Sequence, residues 1–191
     1  MTPCVILAGG KGTRLGGNKP LFPWRGSTLI EAVIARLDRQ ADPLAVNADP
    51  LHAEALQTFG LPLIFDAPAT ANRGPLSGVL SALAWAAERG EAFVVTAPCD
   101  MPDLPADMVA QLIDAPGADV VHFKGARDYP LCARWATGLY PRLAAALEAA
   151  PDGLAVMRFI AGCQAVVLPA GDDRAFANIN KPPVLLAKDR S

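Results

Sequence analysis

The chain has 191 residues, which is enough for one domain with a full hydrophobic core and too few for a second domain of ordinary size. Apolar residues make up 52% and charged residues 19%, a composition that excludes intrinsic disorder. The formal net charge is -2, and Lys and Arg form no cluster, so no nucleic-acid partner is expected. No apolar run is long enough to span a membrane, and the N-terminus does not resemble a secretory leader. We therefore expect a cytoplasmic protein with no membrane association.

Short apolar runs alternate with amphipathic segments, and the period of each predicts its secondary structure. In chain order the pattern predicts a strand at 3–8, a helix at 28–39, a strand at 44–48, a helix at 50–59, a strand at 62–65, a helix at 76–89, a strand at 92–97, a helix at 105–114, strands at 118–123 and 131–135, a helix at 139–149 and a strand at 163–168. Thr28 and Glu31 form a capping-box pattern, and Asp49 before Pro50 marks another helix start. Asp103 is the expected cap of the helix at 105–114.

This series of strands and helices, with one hairpin-like insertion, predicts the α/β class. We expect a single domain, residues 1–191, that forms a Rossmann-like three-layer sandwich: a mostly parallel sheet with helices on both faces. In such sheets ligands bind beyond the carboxyl ends of the strands. That rule selects the loop at 9–19 and the side chains of Asn47, Asp66 and Asp100, each of which lies at or after the end of a predicted strand.

The four cysteines, Cys4, Cys99, Cys132 and Cys163, are far apart in the sequence and form no Cys-x-x-Cys pair. Because the chain has only two histidines to supplement them, neither a zinc site nor a disulfide framework is expected. We interpret the cysteines as small apolar residues in or near strands, which fits a reducing compartment.

A glycine-rich segment follows the first predicted strand. Residues 9–19 contain five glycines and three cations. Glycines allow backbone N–H groups to converge on phosphate oxygens, and Arg14 and Lys19 add positive charge. The spacing does not fit the dinucleotide-binding fingerprint, and Asn18 interrupts the P-loop pattern. From the glycines alone, a solvated surface loop is an equal alternative.

The segment matches the pattern L-A-G-G-x-[SG]-x-R-[ML]-G-x-x-K, which resembles the signature of the nucleotidyltransferases that make nucleotide-activated small molecules. The matching residues are Leu7, Ala8, Gly9, Gly10, Gly12, Arg14, Leu15, Gly16 and Lys19. The family often has Asp before the lysine, where this chain has Asn18. The resemblance implies that the loop binds the nucleotide, with Arg14 and Lys19 as catalytic cations.

Three further matches extend this nucleotide site. The turn Cys99–Pro102 resembles the family's metal-binding turn, which implies that Asp100 holds Mg²⁺ and is catalytic. Without the resemblance, a cap of the turn or of the next helix would be the better interpretation of Asp100. The glycines of the segment Gly74–Gly78, which resembles G-P-L-x-G, permit close approach of a ligand to a helix N-terminus. Asn47 and Asp66 match positions that recognise the base or the ribose, with turn stabilisation as an equal alternative.

The second substrate is expected near the C-terminus. Phe176–Pro182 resembles the family's F-x-N-I-N-T-P element, with Lys181 in place of threonine, and implies that Asn178 and Asn180 bind a pterin phosphate. Tyr129–Trp135 resembles H-P-L-x-A-L, with tyrosine in place of the common histidine and an arginine at a position that is usually hydrophobic.

Together these elements are similar to the molybdenum cofactor guanylyltransferases. The resemblance implies a nucleotide-diphospho-sugar transferase-like fold and an Mg²⁺-dependent transfer of GMP from GTP to a molybdopterin-type substrate, with release of pyrophosphate. The implied partners are GTP, that substrate, and molybdoenzymes or their chaperones. Three alternatives stay open: a cytidylyltransferase acting on the same pterin, a transferase that activates a sugar or alcohol phosphate, and a non-catalytic nucleotide-binding partner in molybdoenzyme maturation.

Overall fold

The strands of the fold lie where the apolar runs predict them. The computed structural model describes residues 2–9 and 19–180. In chain order the strands are β1 (Cys4–Leu7), β2 (Pro23–Trp24), β3 (Ser27–Thr28), β4 (Leu44–Ala48), β5 (Leu63–Phe65), β6 (Phe93–Pro98), β7 (Val120–Lys124), β8 (Asp128–Ala136) and β9 (Ala165–Pro169). The helices are α1 (Leu29–Leu37), α2 (Ala53–Gln57), α3 (Pro75–Ala87), α4 (Met108–Asp114), α5 (Tyr140–Glu148) and α6 (Val156–Ile160). Each predicted strand and helix has a counterpart, whereas β2, β3 and α6 are too short for a periodic pattern to predict them.

Local capping signals explain where the early helices begin. The Thr28 side chain accepts a bond from the Glu31 N–H, and the Glu31 carboxylate accepts one from the Thr28 N–H at 2.7 Å, which confirms the capping box of α1. Asp49 accepts a bond from the Leu51 N–H at 3.0 Å and opens a short 3₁₀ turn that leads into α2. The prediction for Asp103 is wrong: α4 begins later than expected, at Met108, and Asp103 instead pairs with Arg25 at 2.9 Å.

Seven strands form one sheet in the order β5-β4-β1-β6-β8-β7-β9. Six of them run in the same direction, and β8 runs antiparallel to both of its neighbours. Leu7 at the end of β1 pairs with Asn47 of β4 on one side and with Pro98 of β6 on the other. The carboxyl ends of the three central strands therefore lie side by side, at the edge where ligands are expected.

Alternate residues of the strands enter two cores, one on each face of the sheet. In β1, Cys4 and Ile6 pack under α1, α2 and α4, whereas Val5 packs under α3, α5 and α6. This arrangement confirms the three-layer α/β fold with a mostly parallel sheet. All four cysteines are free thiols, three of them buried and Cys163 half-buried, as expected for small apolar side chains. Within residues 2–9 and 19–180, no helix has the length and apolar character needed to cross a membrane.

Candidate active site

A cleft of about 640 Å³ opens at the carboxyl edge of the sheet. Its walls come from the segments that follow β1, β5, β6 and β7, from the end of β4 and from the start of α3. Ten residues predicted for the site line it: Leu7, Ala8, Gly9, Lys19, Asn47, Asp66, Gly74, Gly78, Asp100 and Asn178. Asn180 contacts Lys19, whereas Gly10, Gly12 and Arg14 lie outside the described residues.

Lys19 and Asp100 form the charged centre of the cleft. The Lys19 ammonium donates to Asp100 Oδ2 and, at 2.8 Å, to Asn180 Oδ1. Asn178 Nδ2 donates to the same Asp100 oxygen at 3.0 Å, and the Ile179 N–H donates to the Asp100 carbonyl at 2.9 Å. The segment that follows the last strand thus folds back over the turn after β6. As a result, the predicted metal-binding carboxylate and the predicted second-substrate residues belong to one hydrogen-bonded cluster.

The pair is well shielded from water, because 19% of the Lys19 side chain and 9% of the Asp100 side chain are exposed. A salt bridge that is removed from water is screened less than one at the surface. Cys99, next to this pair, is a neutral thiol: burial, and to a lesser degree the Asp100 charge, raises its pKa from 9.0 to about 12. The cysteine therefore lines the cleft as a small, uncharged group.

Asn47 and Asp66 meet at the β4–β5 end of the cleft. Asn47 is buried, and its Nδ2 donates to Asp66 Oδ1 at 2.8 Å. Ser81, on α3, donates to the same oxygen at 3.0 Å. These bonds join β4, α3 and the loop after β5. Within the described part of the chain, neither Asn47 nor Asp66 therefore acts as a local turn cap. The second carboxylate oxygen, Asp66 Oδ2, has no hydrogen-bond partner among residues 2–9 and 19–180.

The two glycines at the start of α3 are required for different reasons. Gly74 has φ +90°, a left-handed conformation that favours glycine, and it precedes Pro75 at the first helical position. Gly78 instead lies against the Asn47 amide: a Cβ at this position would be 2.5 Å from Asn47 Oδ1 and 3.1 Å from Leu7 Cδ2. The glycine therefore makes room for a side chain of the cleft, in addition to any room that it leaves for a ligand.

Four polar residues of the site were not predicted: Asn72, Ser81, Arg127 and Asp128. Arg127 lies in the turn between β7 and β8, lines the cleft, and donates to Asn178 Oδ1 at 2.6 Å. Its position follows the carboxyl-edge rule, since β7 runs parallel to β1. The sequence predicted β7 only as one strand of a hairpin, and that pattern does not give its direction in the sheet.

A comparison of the sequence with protein-family models identifies its relatives. The model described as "MobA-like NTP transferase domain" matches residues 4–167, which is most of the chain. The chain belongs to this family. The matched region contains Lys19, Asn47, Asp66 and Asp100 and ends before the segment that carries Asn178 and Asn180.

Individual members of the family resemble the chain over nearly its full length. A Cereibacter sphaeroides protein named molybdenum cofactor guanylyltransferase is 39% identical over 182 residues, which cover 93% of this chain and 90% of that protein. A Rhodobacter capsulatus protein of the same name is 36% identical over 188 residues, 97% of this chain and 94% of the relative. The crystal structure of molybdopterin-guanine dinucleotide biosynthesis protein A from Archaeoglobus fulgidus superposes with a TM-score of 0.78 at 23% identity, covering 95% and 93% of the two chains. That structure supports the fold.

Proposed function

We propose that the protein transfers GMP from GTP to the phosphate of molybdopterin that carries molybdenum, and that pyrophosphate leaves. The observation that carries the proposal is the cluster of Lys19, Asp100, Asn178 and Asn180 at the carboxyl edge of the sheet. Relatives that align over nearly the whole chain are named for this reaction. We expect the reaction to take place in the cytoplasm, in keeping with four free cysteines.

The Asn47–Asp66 pair is our candidate for the base or the ribose of the nucleotide. Asp66 lines the cleft, and its Oδ1 accepts from Asn47 and Ser81, which fixes the carboxylate and leaves Oδ2 as an acceptor without a partner among residues 2–9 and 19–180. Guanine presents N1–H and N2–H donors, which a carboxylate oxygen can accept. A part-buried pair with this geometry favours GTP over a nucleotide whose base lacks adjacent donors, because a polar group that is shielded from water and left unmatched is costly.

The residues at the centre of the cleft fit a magnesium ion. Magnesium prefers oxygen ligands and usually takes one or two from carboxylates, with phosphates and water completing its shell. Asp100 Oδ2 accepts from Lys19 and Asn178, whereas Oδ1 has no hydrogen-bond partner in the described part of the chain. Asp100 would therefore hold Mg²⁺, which when bound would neutralise charge on the triphosphate.

The chain itself contributes charge and positioning. The attacking phosphate is already an anion, so no general base is needed, and catalysis depends on holding the two reactants in line. Lys19 exchanges its bond to Asp100 for bonds to the phosphate oxygens of the nucleotide. The glycine-rich loop, with Gly9, Gly10, Gly12 and Arg14, supplies further N–H groups and a second cation to the same phosphates.

The test is pyrophosphate release by the wild type and by Lys19→Met, with molybdenum-loaded molybdopterin and Mg-GTP. We expect the variant to lose at least about two orders of magnitude in kcat, as is typical when one donor to the developing charge is removed. Lys124→Met is the matched control, because Lys124 is exposed, does not line the cleft and should leave turnover unchanged. Near-normal turnover by Lys19→Met would contradict the role of the lysine.

A nucleotide panel separates the alternatives within the family. Thermal stabilisation by GTP, CTP, ATP and UTP with Mg²⁺ ranks their affinities, since a ligand that binds only the folded state raises its melting temperature. Preference for CTP would indicate a cytidylyltransferase on the same pterin, and turnover of a sugar or alcohol phosphate would indicate a different acceptor. Binding of GTP without pyrophosphate release from any acceptor would support a non-catalytic partner in molybdoenzyme maturation.

A further inference from the structure

Arg127 is a cation that the proposed mechanism does not use. It is exposed in the turn between β7 and β8 and lines the same cleft as Lys19. Its guanidinium donates to Asn178 Oδ1 at 2.6 Å and lies 5.3 Å from the centre of the Tyr129 ring. No carboxylate among residues 2–9 and 19–180 lies within 4.0 Å of the guanidinium, so within that part of the chain its charge is not neutralised by a salt bridge. Most of its five N–H donors are left for a ligand.

The turn that carries Arg127 is fixed to the C-terminal segment. The Tyr129 hydroxyl donates to Asp173 Oδ1 at 2.7 Å, and the Tyr129 ring stacks on Phe176 with centroids 4.8 Å apart. The Ala126 N–H, next to Arg127, donates to both Asp173 carboxylate oxygens, at 3.1 Å and 3.0 Å. A guanidinium on a turn held at both sides loses less conformational entropy on binding than one on a free loop.

Asn178 connects this arginine to the centre of the cleft. Its Oδ1 accepts from Arg127 while its Nδ2 donates to Asp100, so the amide has one orientation that satisfies both partners. Two cations, Lys19 and Arg127, therefore flank the Asp100–Asn178 pair and face the same cleft. An arrangement of two positive charges around one carboxylate suits two separate anionic groups that must approach each other.

The strand order indicates which anion each cation meets. Asn47 and Asp66, the candidates for the nucleoside, lie at the β4–β5 side of the sheet. β1 and β6, which lead to the glycine-rich loop and to Asp100, are central, and β7 lies four strand positions from β4. At about 4.8 Å per strand this separation is about 19 Å. Arg127 is thus on the opposite side of the triphosphate region from the nucleoside.

We propose that Arg127 binds the phosphate of the acceptor substrate, a phosphomonoester. This inference rests on the function proposed above. In the transfer, an oxygen of that phosphate forms a bond to the α-phosphorus of the nucleotide. The bond from the α-phosphorus to the bridging oxygen breaks, and its electron pair leaves with pyrophosphate, so no proton or further reactant is needed. The two phosphates repel each other as they approach, and a planar guanidinium that binds one of them in two places reduces this repulsion and fixes the direction of attack.

The test compares Arg127→Met and Arg127→Lys with the wild type. Arg89→Met is the matched control: Arg89 also lies over an aromatic ring, at 4.3 Å from the centre of the Trp85 ring, and also donates one hydrogen bond, but it lies at the end of α3 away from the cleft. Pyrophosphate release gives KM for the acceptor at saturating Mg-GTP, and calorimetry gives the GTP dissociation constant. We expect Arg127→Met to raise the acceptor KM at least about tenfold, which corresponds to about 1.4 kcal/mol, with GTP affinity unchanged. The acceptor KM of Arg127→Lys should fall between those of the wild type and Arg127→Met, and the acceptor KM of Arg89→Met should match that of the wild type.

A binding experiment without turnover identifies the group that Arg127 contacts. Calorimetry with molybdopterin and with its dephosphorylated alcohol measures what the phosphate adds to affinity, in the wild type and in Arg127→Met. We expect a large difference between the two ligands for the wild type and a small one for the variant. Three results for Arg127→Met would each overturn the assignment: an equal loss of affinity for molybdopterin and for its dephosphorylated alcohol, an acceptor KM equal to that of the wild type, or a loss of GTP affinity as large as the loss of acceptor affinity. If wild-type protein binds the phosphorylated pterin through Arg127 but releases no pyrophosphate, the proposed function fails while the acceptor site stands.

Discussion

Replacing Gly78 by alanine tests whether the position of the Asn47 amide depends on the absence of a side chain at this residue of α3. The new Cβ would lie 2.5 Å from Asn47 Oδ1, whereas carbon and oxygen atoms in contact normally stay about 3.3 Å apart. Either α3 or the amide must therefore move by almost 1 Å. Asn47 is buried between α3 and Gly9, where a Cβ would also be only 3.0 Å from the same oxygen, so it has little space in which to retreat.

Two opposing free energies determine the size of the effect. Movement of Asn47 breaks its 2.8 Å bond to the Asp66 carboxylate, and a hydrogen bond to a charged group contributes about 1.5–3 kcal/mol. Alanine regains up to about 1 kcal/mol over glycine inside a helix. We expect Gly78→Ala to lower the free energy of unfolding by about 1–2 kcal/mol, since the first term is larger. If Asn47 contacts the nucleotide as proposed, the affinity for GTP should also fall. Each 1.4 kcal/mol lost from the binding free energy corresponds to about a tenfold weaker affinity.

Urea denaturation measures the first quantity and calorimetric titration with Mg-GTP the second. Gly138→Ala is the matched control, because no atom lies within 4 Å of a Cβ built at Gly138 and its φ is not left-handed. That variant should stay within about 0.5 kcal/mol of the wild type. A Gly78→Ala protein as stable as the wild type, with unchanged affinity for GTP, would show that Asn47 does not need its present position.

Two further predictions concern the buried interior. Burial raises the pKa of Cys4 and Cys99 from 9.0 to about 12, so the folded state keeps thiols protonated that the unfolded state ionises. Their contribution to stability is complete below pH 9 and is lost between pH 9 and pH 12, at up to about 1.4 kcal/mol per pH unit for each thiol. Denaturation at several pH values should show that the free energy of unfolding declines less steeply above pH 9 for Cys99→Ala than for the wild type. Identical slopes would refute ionisation of Cys99 as a cause of the decline. Thr96→Val removes the hydroxyl that accepts from Trp135 Nε1–H at 2.9 Å and donates to the Leu131 carbonyl at 2.7 Å. We expect the variant to lower the free energy of unfolding, measured by urea denaturation, by about 1–3 kcal/mol. An unchanged free energy of unfolding would contradict the importance of these two bonds.

Elements defined by neighbours in the sequence were predicted well. The capping box of α1 and the bounds of β4 agree with the structure, because a cap or an apolar run depends on residues a few positions apart. The start of α4 was placed too early, because Pro105 and Asp103 form a local start signal, whereas in the structure the helix begins at Met108 and the Gln40 side chain accepts from the Val109 N–H at 3.1 Å. Gln40 lies on the segment after α1, so this contact depends on the tertiary structure and not on neighbours in the sequence.

The carboxyl-edge rule located much of the cleft from the sequence. Asn47, Asp66 and Asp100 lie at or after predicted strand ends, and the structure brings all three into one cleft with Lys19. Their roles toward the nucleotide and magnesium stay predictions. The rule did not find Ser81, which reaches Asp66 from a helix, because a pattern of strands gives no information on which helical residue packs over a loop.

By itself the sequence determined the α/β class, the positions of the strands and helices that have a periodic pattern, and the residue types for phosphate chemistry, because these depend on side-chain period and on short motifs. Only the tertiary structure decided that β8 lies antiparallel between β6 and β7 and that Asn178 and Asn180 fold back onto Asp100 and Lys19. Those contacts join residues up to 161 positions apart in the chain. Their formation depends on the packing of the whole sheet and its two cores, which no local pattern of residues encodes.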